Sequence, residues 1–324
     1  MAKKHKPVSG SRGFWPKKRA KRIYPRFNRV SGPAKALGFA AYKAGMTQVS
    51  LRDMKKGSVT EGEEIARPVT ILDCPPLVIC GIKAYKSSTY GLRSSVVVWA
   101  EKTEKDLKRK TFVPKKPKAK AEDIDKMLDS LADIRLLAHP KTRESGVGKK
   151  TPELVEIPIG GEVKEKWAYA RDRLGKELKI TDVFAEGEYV DASAVSKGKG
   201  YQGPVKRFGV KIRSRKNEKK RRHVGTLGAW TPARVLPGKI AMPGQLGFQT
   251  RTEFNKKIVK LGTGGIESKG GLLNYGKVPG DFMLLEGSVP GPKKRFVLLR
   301  PGLRAPQQET VELVEVYLDS QQGV

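Results

Sequence analysis

The stretch GFAAYKAGMTQVSLRD, residues 38–53, carries the main fold signal of this chain. It mixes aromatic, β-branched and small residues and is bounded by glycine and aspartate, a pattern typical of a β-strand between turns. Three similar runs follow, separated by Gly, Pro and Ser: ARPVTILD (66–73), PLVICGIKAYK (76–86) and SSVVVWAEK (94–102). Short strands repeated without long helices between them predict a mainly β protein, a barrel or a sandwich, and argue against a parallel βαβ sheet.

Four later runs extend the β pattern. EYVDASAV (188–195) is strand-like, and three more runs lie near the C-terminus: GDFMLLEG (280–287), KRFVLLR (294–300) and ETVELVEVYL (309–318). Because strands distant in sequence can pair in one sheet, we expect the C-terminal runs to complete a barrel begun before residue 100.

A helical insertion is predicted between these blocks, over residues 101–175. After TFVPKKPKAK (111–120), the segment AEDIDKMLDSLADIRLLAHP (121–140) places apolar residues at helical spacing until Pro140. The predicted stripe consists of Ile124, Met127, Leu128, Leu131, Ile134 and Leu137. With EVKEKWAYARDRL (162–174), this indicates helices that pack on the barrel or on a neighbour rather than carry chemistry.

The net charge points to a polyanionic partner. The 324 residues include 66 Lys and Arg against 33 Asp and Glu, a formal charge of +33 that would strongly self-repel in isolation. Phosphates accept charge-assisted hydrogen bonds from these cations, and counterion release adds to affinity, so nucleic acid is the favoured partner. No apolar run approaches the roughly 18–20 residues needed to span a bilayer, and no signal peptide is evident, which predicts a cytoplasmic protein without a membrane partner.

The first thirty residues form a basic arm. Eleven Lys or Arg and no acid occur between Met1 and Val30, interleaved with four aromatic residues. A disordered solubilising tail is one interpretation, but such tails are usually poor in aromatics. We favour an arm that becomes ordered on RNA, with cations on phosphates and rings on unstacked bases.

A second basic segment lies in the middle of the chain. Between Ala192 and Thr252 the only acid is Glu218, whereas twelve Lys or Arg fall between Lys197 and Arg222. Gly and Pro interrupt the remainder, so this segment cannot bury enough apolar surface to offset its ordering entropy. It is predicted to be a long loop with its own binding surface. We expect residues 1–30 and 197–252 to be disordered in the free protein, which hydrogen exchange without RNA would test.

Trp230 stands out within this loop. The sequence GAWTPAR (228–234) places one large ring in a Gly- and Pro-constrained turn within the least acidic stretch. The ring could anchor the loop through a small local apolar contact, or it could stack on an RNA base or ribose. The residues alone leave both interpretations open.

A dinucleotide fingerprint matches at Gly198, Gly200 and Gly203, with Glu218 near the spacing of a ribose ligand. The motif needs a helix after the glycines, and VKRFGVKIRSR (205–215) shows no helical stripe. These glycines are better explained as turns that allow close approach to an RNA backbone.

The other reactive residue types are also sparse. The three histidines, His5, His139 and His223, are far apart in sequence, and each is expected to contact phosphate or solvent. Cys74 and Cys80 lie in an apolar run without a second ligand pair, so we expect reduced, buried packing residues. Catalytic residues, a metal, a cofactor and a small-molecule substrate are therefore not predicted.

Two other classes of function stay open on composition. A nucleic-acid-modifying enzyme with a basic channel would need clustered acids or histidines, whereas the basic loop offers only Glu218 and His223. An architectural binder of the chromatin type would make little use of an acid-bearing helical insertion. Preference for duplex DNA over folded RNA would favour the latter class.

Four motifs together resemble the universal large-subunit ribosomal protein three family, in its archaeal and eukaryotic branch. They are KGKGYQGPVKRFGV (197–210), HVGTLGAWTPARVLPGK (223–239), MPGQLGFQTRT (242–252) and NYGKVPGD (274–281). The N-terminal arm and the insertion resemble this branch more than the bacterial one. The resemblance covers essentially the whole chain, and several motifs in the same order make it more specific than a lone glycine fingerprint.

The resemblance implies a six-stranded translation-protein β-barrel on the subunit surface, with the arm and the central loop threading into 23S-type ribosomal RNA. It implies an early assembly protein whose loop reaches toward the peptidyl transferase centre with Trp230 at its tip. Thr231 replaces a histidine typical of eukaryotic relatives, so any role of that histidine is absent here. Gln245 resembles a glutamine that is methylated in bacteria, and His223 does not match the modified eukaryotic position.

These arguments divide the chain into six regions: arm 1–36, first barrel part 37–100, helical insertion 101–175, barrel strands 176–196, basic loop 197–260 and C-terminal barrel strands 261–324. Ribosomal RNA and neighbouring large-subunit proteins are the expected partners. In the arm, the predicted RNA-binding residues are Lys3, Lys4, Arg12, Trp15, Lys17, Lys18, Arg19, Lys21, Arg22, Arg26 and Arg29. In and beside the loop they are Lys197, Lys199, Lys206, Arg207, Lys211, Arg213, Arg215, Lys216, Lys219, Lys220, Arg221, Arg222, His223, Trp230, Arg234, Lys239, Gln245 and Arg251.

Overall fold

A computed structural model of the protein describes residues 17–27, 31–114, 119–231, 233–236, 238, 240–268, 270–306 and 308–319. The chain divides into two compact units, here called the basic unit (residues 1–23 and 195–250) and the body (residues 24–194 and 251–324). The strands are β1 Phe39–Arg52, β2 Glu64–Asp73, β3 Leu77–Ser88, β4 Gly91–Trp99, β5 Asp133–Pro140, β6 Val155–Pro158, β7 Glu177–Leu178, β8 Tyr189–Val195, β9 Tyr201–Gln202, β10 Gly244–Gln245, β11 Thr250–Gly262, β12 Phe282–Glu286, β13 Phe296–Pro301 and β14 Glu312–Tyr317. The helices are α1 Ala121–Asp125, α2 Val163–Arg173 and α3 Pro204–Phe208, with 3₁₀ turns at Lys105–Arg109, Leu128–Ser130, Thr142–Glu144 and Ile180–Asp182.

The larger sheet of the body has seven strands in the order β13-β8-β11-β12-β2-β1-β14, and β13 also pairs with β1. The pairs with a described register are antiparallel, including β1 with β2, β13 and β14. The mainly β fold is thus confirmed, as are the strand predictions near both ends of the chain. The C-terminal strands do join those formed before residue 100.

The predicted loop 197–260 is too long at its C-terminal end. Residues 250–262 form β11, which pairs with β12 from Ile258↔Leu285 to Gly262↔Phe282. Its sequence TRTEFNKKIVKLG is rich in lysine and polar residues, so it lacks the apolar alternation that indicates strands elsewhere. Backbone hydrogen bonds with β12 stabilise this strand, which the composition of the segment did not predict.

A second sheet of five strands contains β3 and β4, which the sequence analysis assigned to the barrel. Its order is β4-β3-β5-β6, and β7 pairs with β3. The block 37–100 is therefore shared between two sheets rather than forming one. Strand-like composition shows that a segment pairs, but not with which partner, so this division was not visible in the sequence.

The prediction of a long amphipathic helix over residues 121–140 is wrong. Only Ala121–Asp125 is α-helical, and Asp133–Pro140 is β5, which pairs with β3 on one side and with β6 on the other. Ile134, Leu136 and Ala138 join the main core, whereas Leu137 joins a small cluster with Cys80 and Leu107. Apolar residues on both faces of a strand coincided with helical spacing, and pairing on two sides overrode it. The helix expected within residues 162–174 is confirmed as α2.

His139 is a further correction, because it lies in β5 and its side chain is buried rather than in contact with solvent. Its Nε2 atom lies 3.9 Å from a carboxylate oxygen of Glu104. Burial lowers the pKa of His139 below its ordinary value, because the charged imidazolium would lose its hydration. His139 therefore packs as a neutral ring in the core of the body.

The two sheets of the body share one hydrophobic core. Phe39 and Tyr42 of β1, Ile71 of β2, Ile79 of β3 and Ile134 of β5 are fully buried members of the same cluster. The rings of Tyr42 and Phe296 meet edge to face at 5.5 Å between centroids. Burial of this apolar area supplies the main stabilising free energy of the body.

A buried ion pair joins three strands of the larger sheet. Arg300 of β13 donates from Nε to Asp191 of β8 at 3.2 Å, and its Nη2 lies 3.1 Å from the same carboxylate oxygen. Asp191 is fully buried and also accepts the backbone N–H of Asn255 in β11 at 3.1 Å. Beside this pair, the hydroxyls of Ser193 and Thr252 are 2.7 Å apart. β8 and β11 are neighbours in this sheet, and the body ends at Ala194 in β8 and resumes at Arg251 in β11.

The two cysteines are free and buried, as predicted. Burial raises the pKa of Cys74 well above its ordinary value and that of Cys80 to about 12. Because the thiolate is the reactive form, both thiols should be inert at neutral pH. We expect Ellman's reagent to detect no thiol in the native protein at pH 8 and two after denaturation. Fast reaction of either thiol in the native state would contradict this burial.

Candidate nucleic-acid interface

A short antiparallel stem closes the loop of the basic unit. β9 pairs with β10 through Gln202↔Gly244 and Tyr201↔Gln245. Below this ladder, the N–H of Lys199 donates to the carbonyl of Leu246 at 3.0 Å, and that of Leu246 donates to the carbonyl of Gly200 at 2.9 Å. Residues 203–243 are thereby closed into a loop with a two-stranded base. The sequence analysis predicted a long loop but not this stem.

One glycine in the stem is required by geometry. Gly247 has φ +70°, and a Cβ atom at this position would lie 2.1 Å from the carbonyl oxygen of Lys197 on the opposite strand. No L-residue could occupy the position without separating the two strands. By contrast, Gly200 has φ +64° with open space at its Cβ position, so it serves as a turn.

Arg207 holds the start of the loop against the stem. α3 begins with Pro204 in its first turn, and Gly209, the residue after its last turn, adopts the left-handed conformation. From this helix, Arg207 donates from Nε to the carbonyl of Gln245 at 3.1 Å and from Nη1 to the carbonyl of Met242 at 2.6 Å. Its side chain is buried, which lowers the pKa of its guanidinium. This structural role was not indicated by the sequence, where Arg207 was one of many loop cations.

Gln245 is also engaged within the stem. Its side-chain amide donates to the backbone carbonyls of Leu246 at 3.1 Å and Gly247 at 3.0 Å, and the residue is half-buried. The carboxamide therefore stabilises the turn in which Gly247 lies. Both hydrogen bonds use the Nε2 atom, so they fix the orientation of the side chain.

The described end of the arm runs along this stem. The N–H of Ala20 donates to the carbonyl of Phe248 at 2.8 Å. The ammonium of Lys17 lies 4.7 Å from the ring centre of Phe208, and the guanidinium of Arg19 lies 5.2 Å from that of Phe248. These cation–π contacts attach the arm to the stem within one unit. The remaining arm cations with described positions are exposed: Lys18, Lys21, Arg22 and, in the body, Arg26.

The most basic surface is the segment 211–222. All twelve of its residues are exposed, and eight are Lys or Arg against the single acid Glu218. The N–H of Arg213 donates to the carbonyl of Arg221 at 3.1 Å, and Asn217 donates to Ser214 at 3.0 Å, so the segment doubles back on itself. The eight cations therefore project from one compact turn, where their mutual repulsion favours an anionic ligand.

Trp230 is almost entirely in solvent, with 94% of its surface exposed. Its carbonyl accepts the N–H of Ala233 at 2.6 Å, and Ala233 has φ +59°, so the backbone turns sharply behind the ring. The interpretation of Trp230 as a local apolar anchor is wrong, because the ring is not packed. An exposed indole remains free to stack on a planar group.

Tyr201 is a candidate that the sequence analysis missed. It is 74% exposed and lies on β9, in the acid-free part of the stem. An aromatic residue between Lys199 and Lys206 was the available signal. Its phenol ring is a second exposed planar surface of the basic unit.

The other predicted interface residues vary in position. Lys197, Lys199, Lys206 and Arg234 are exposed, whereas His223 and Arg251 are half-buried, the latter in the body. The Nδ1 atom of His223 accepts the N–H of Gly225 at 3.0 Å. The predicted residues outside the described part of the chain are Lys3, Lys4, Arg12, Trp15, Arg29 and Lys239.

Charge is strongly divided between the two units. Residues 1–23 carry nine Lys or Arg, and residues 195–250 carry fourteen with one Glu, so the basic unit has a net charge of +22 out of +33 for the chain. In the body, many cations are instead paired with acids, as Lys166 is with Asp133 at 2.8 Å. The field of the molecule thus originates mainly in the basic unit.

The described residues give no support for a nucleotide or metal site. The expectation that no helix follows the glycine fingerprint is wrong, since α3 begins at Pro204. That helix has only five residues, however, and the strand before it, β9, is antiparallel to β10 rather than part of a parallel sheet. Among the positions described, no three His, Cys, Asp or Glu side chains are close enough to hold one metal ion. Nor does any helix described here have the length and apolar character to cross a membrane.

A chain that combines a mainly β body with a strongly polycationic unit belongs to the class of basic proteins suited to an anionic partner. The family described as ribosomal protein L3 matches residues 1–322. Large ribosomal subunit protein uL3 of Methanosphaera stadtmanae is 45% identical over 338 residues, covering 100% of both chains. The protein of the same name from Methanococcus aeolicus is 42% identical over 332 residues, covering 99% of each chain. That from Methanothermobacter thermautotrophicus is 42% identical over 339 residues, covering 100% of each chain.

The chain belongs to the ribosomal protein L3 family, which confirms the resemblance predicted from its motifs. The family consists of structural ribosomal components rather than enzymes. Its archaeal relatives match this chain over their whole length.

Proposed function

We propose that this protein is a structural constituent of the large ribosomal subunit in the cytoplasm and that it binds 23S-type ribosomal RNA through its basic unit. The observation that carries the proposal is the segment 211–222, with eight exposed cations and one acid in a single turn. Such a surface attracts a dense array of negative charge, and RNA phosphates provide one. The archaeal relatives named large ribosomal subunit protein uL3 support the same assignment.

The arrangement favours contacts with the RNA backbone over base-specific contacts. Lys and Arg side chains that project from a turn can reach phosphates on several strands but carry little sequence information. The arm residues 17–23, attached to the stem by Lys17 and Arg19, add cations beside the same stem. Recognition would then depend on the folded shape of the RNA, as suits a protein that joins an early stage of assembly.

Trp230 supplies a planar ring for stacking, which the Lys and Arg side chains that contact phosphates do not offer. Because 94% of the surface of Trp230 is in water, stacking of a base or ribose on its indole ring would stabilise the complex. We propose that the loop reaches toward the peptidyl transferase centre with Trp230 at its tip, as the resemblance implies. The ring would stack on RNA there.

The body would form the six-stranded barrel that the resemblance implies. Strands β1, β2, β12, β11, β8 and β13 are neighbours in this order, and the pairing of β13 with β1 supports closure of the sheet. This body would dock on the RNA surface and contact neighbouring large-subunit proteins. The arm, residues 1–36, and the loop after residue 197 would thread into the RNA.

Sedimentation of a cell extract through sucrose gradients at high salt tests this proposal. The tagged protein is expected to migrate with the large subunit after a salt wash that removes loosely bound proteins. A ribonuclease-treated extract is the control, in which the protein should leave the subunit fractions. Migration at the top of the untreated gradient would overturn the proposal.

Replacing Trp230 with alanine should separate binding from stability. Because the ring is exposed, the free energy of unfolding should change by less than about 0.5 kcal/mol. Loss of one stacked base should weaken binding to ribosomal RNA by about 1–3 kcal/mol, and Trp230→Phe should restore part of it. Thermal unfolding and filter binding measure the two quantities. A large drop in the unfolding temperature with unchanged affinity would instead indicate a packing role.

A further inference from the structure

We propose that the turn between β3 and β4, residues 86–93 of the body, is a second binding site for single-stranded RNA. In this site the ring of Tyr90 stacks on an unpaired base, while Lys86 and Arg93 bind the flanking phosphates. The inference rests on the proposed ribosomal function and adds to it a contact surface outside the arm and the central loop.

Tyr90 is the most exposed aromatic side chain among the described residues, at 101% of its reference surface. Ser88 pairs with Gly91 at the end of the hairpin, so Thr89 and Tyr90 form the turn itself. Gly91 follows with φ +106°, a conformation that favours glycine and allows the strand to resume directly after the turn. The ring thus projects from the apex of a hairpin and adds nothing to packing.

Two cations stand directly opposite each other on the strands that this turn joins. Lys86 of β3 is the register partner of Arg93 of β4, which places both side chains on the same face of the hairpin. Like charges in this position destabilise a pair of strands. Neither residue has an ion pair within the described part of the chain, and residues 74–100 contain no Asp or Glu. A phosphate between them would convert this repulsion into attraction.

The nearest acid on the adjoining strand does not relieve this repulsion. Asp133 of β5 is the register partner of Tyr85, but its carboxylate is already paired with Arg135 at 3.0 Å and with Lys166 at 2.8 Å. Ser87, Ser88 and Thr89 of the turn, and Ser94 and Ser95 directly after it, add neutral hydroxyl groups. The site therefore combines one ring, two cations and several neutral hydrogen-bonding groups.

This combination fits single-stranded RNA better than other anionic partners. A base offers a planar face for the ring, and the phosphates on either side of it are within one nucleotide of the stack. A membrane surface would be met by several apolar side chains together, whereas Leu92, the other large apolar residue of the turn, is half-buried. An acidic peptide would satisfy the cations but would leave the ring in water.

Filter binding of the full-length protein to 23S-type ribosomal RNA, over a series of salt concentrations, tests the inference. Tyr90→Leu is expected to weaken binding about tenfold, because it keeps an apolar side chain but removes the stacking face. Lys86→Gln with Arg93→Gln is expected to reduce the slope of log K against log salt by about 1.4, the value for two single-strand phosphates. Phe112→Leu, which alters another exposed ring of the body, is the matched control and should leave both quantities unchanged.

The outcomes separate this inference from the proposed function. If the wild-type protein binds with a steep salt dependence but the hairpin variants bind equally well and with the same slope, the hairpin site is excluded and the ribosomal assignment stands. If the wild-type protein fails to bind, both are overturned. A photoreactive phenylalanine at position 90 in purified large subunits should form adducts with RNA, and exclusive adducts with protein would also exclude the site. Unchanged unfolding temperatures show that the variants are folded.

Discussion

Replacing Asp191 with alanine is expected to lower the free energy of unfolding by about 3–5 kcal/mol, because Arg300 would remain buried without its counter-charge. The carboxylate is fully buried and bridges three strands through Arg300 and the N–H of Asn255. Its removal also leaves these donors without an acceptor. Urea unfolding followed by circular dichroism measures the loss.

An exposed ion pair of the same sheet provides the control for Asp191. Arg52 and Glu312 join β1 to β14 at 3.4 Å, but their side chains are 48% and 53% exposed. Glu312→Ala should therefore cost less than about 1 kcal/mol. Equal losses for Asp191→Ala and Glu312→Ala would show that burial does not determine the strength of the Asp191–Arg300 pair. Recovery of stability in Asp191→Ala with Arg300→Met would identify the unpaired guanidinium as the cause.

Neutralising Lys219, Lys220, Arg221 and Arg222 with glutamine is expected to have the largest effect on RNA binding. If each cation neutralises one phosphate, the slope of log K against log salt should become shallower by about 3.6, and affinity near 0.1 M salt should fall on the order of a thousandfold. The four side chains are exposed, so the unfolding temperature should not change. Filter binding to ribosomal RNA over a range of salt concentrations gives both quantities.

Four exposed lysines of the body provide a charge-matched control for this loop variant. Neutralising Lys56, Lys102, Lys108 and Lys126 removes the same formal charge from surfaces that also carry acids. A small change in slope is expected for this control. If both variants lose equal affinity, binding depends on the total charge of the protein rather than on the turn at residues 211–222, and the assignment of the interface would be wrong.

Much of the candidate interface was predictable because charge and exposure follow from composition. A segment with eight cations and one acid in twelve residues cannot be buried, whatever fold surrounds it. The stem was not predictable, because residues 196–202 and 244–249 pair across more than forty positions of polar sequence. The role of Arg207 was hidden for the same reason, since its acceptors at Met242 and Gln245 lie on the far strand.

The residues alone determined the mainly β character of this protein, its basic arm and loop, and, through several ordered motifs, its family. These properties reside in short windows of sequence, where side-chain type and alternation act locally. Tertiary structure decided that β3 and β4 belong to a second sheet, that residues 133–140 are a strand rather than a helix, and that Trp230 is exposed. The physical reason is that a strand obtains its hydrogen bonds from a distant partner, so its pairing and the exposure of its side chains depend on the whole chain.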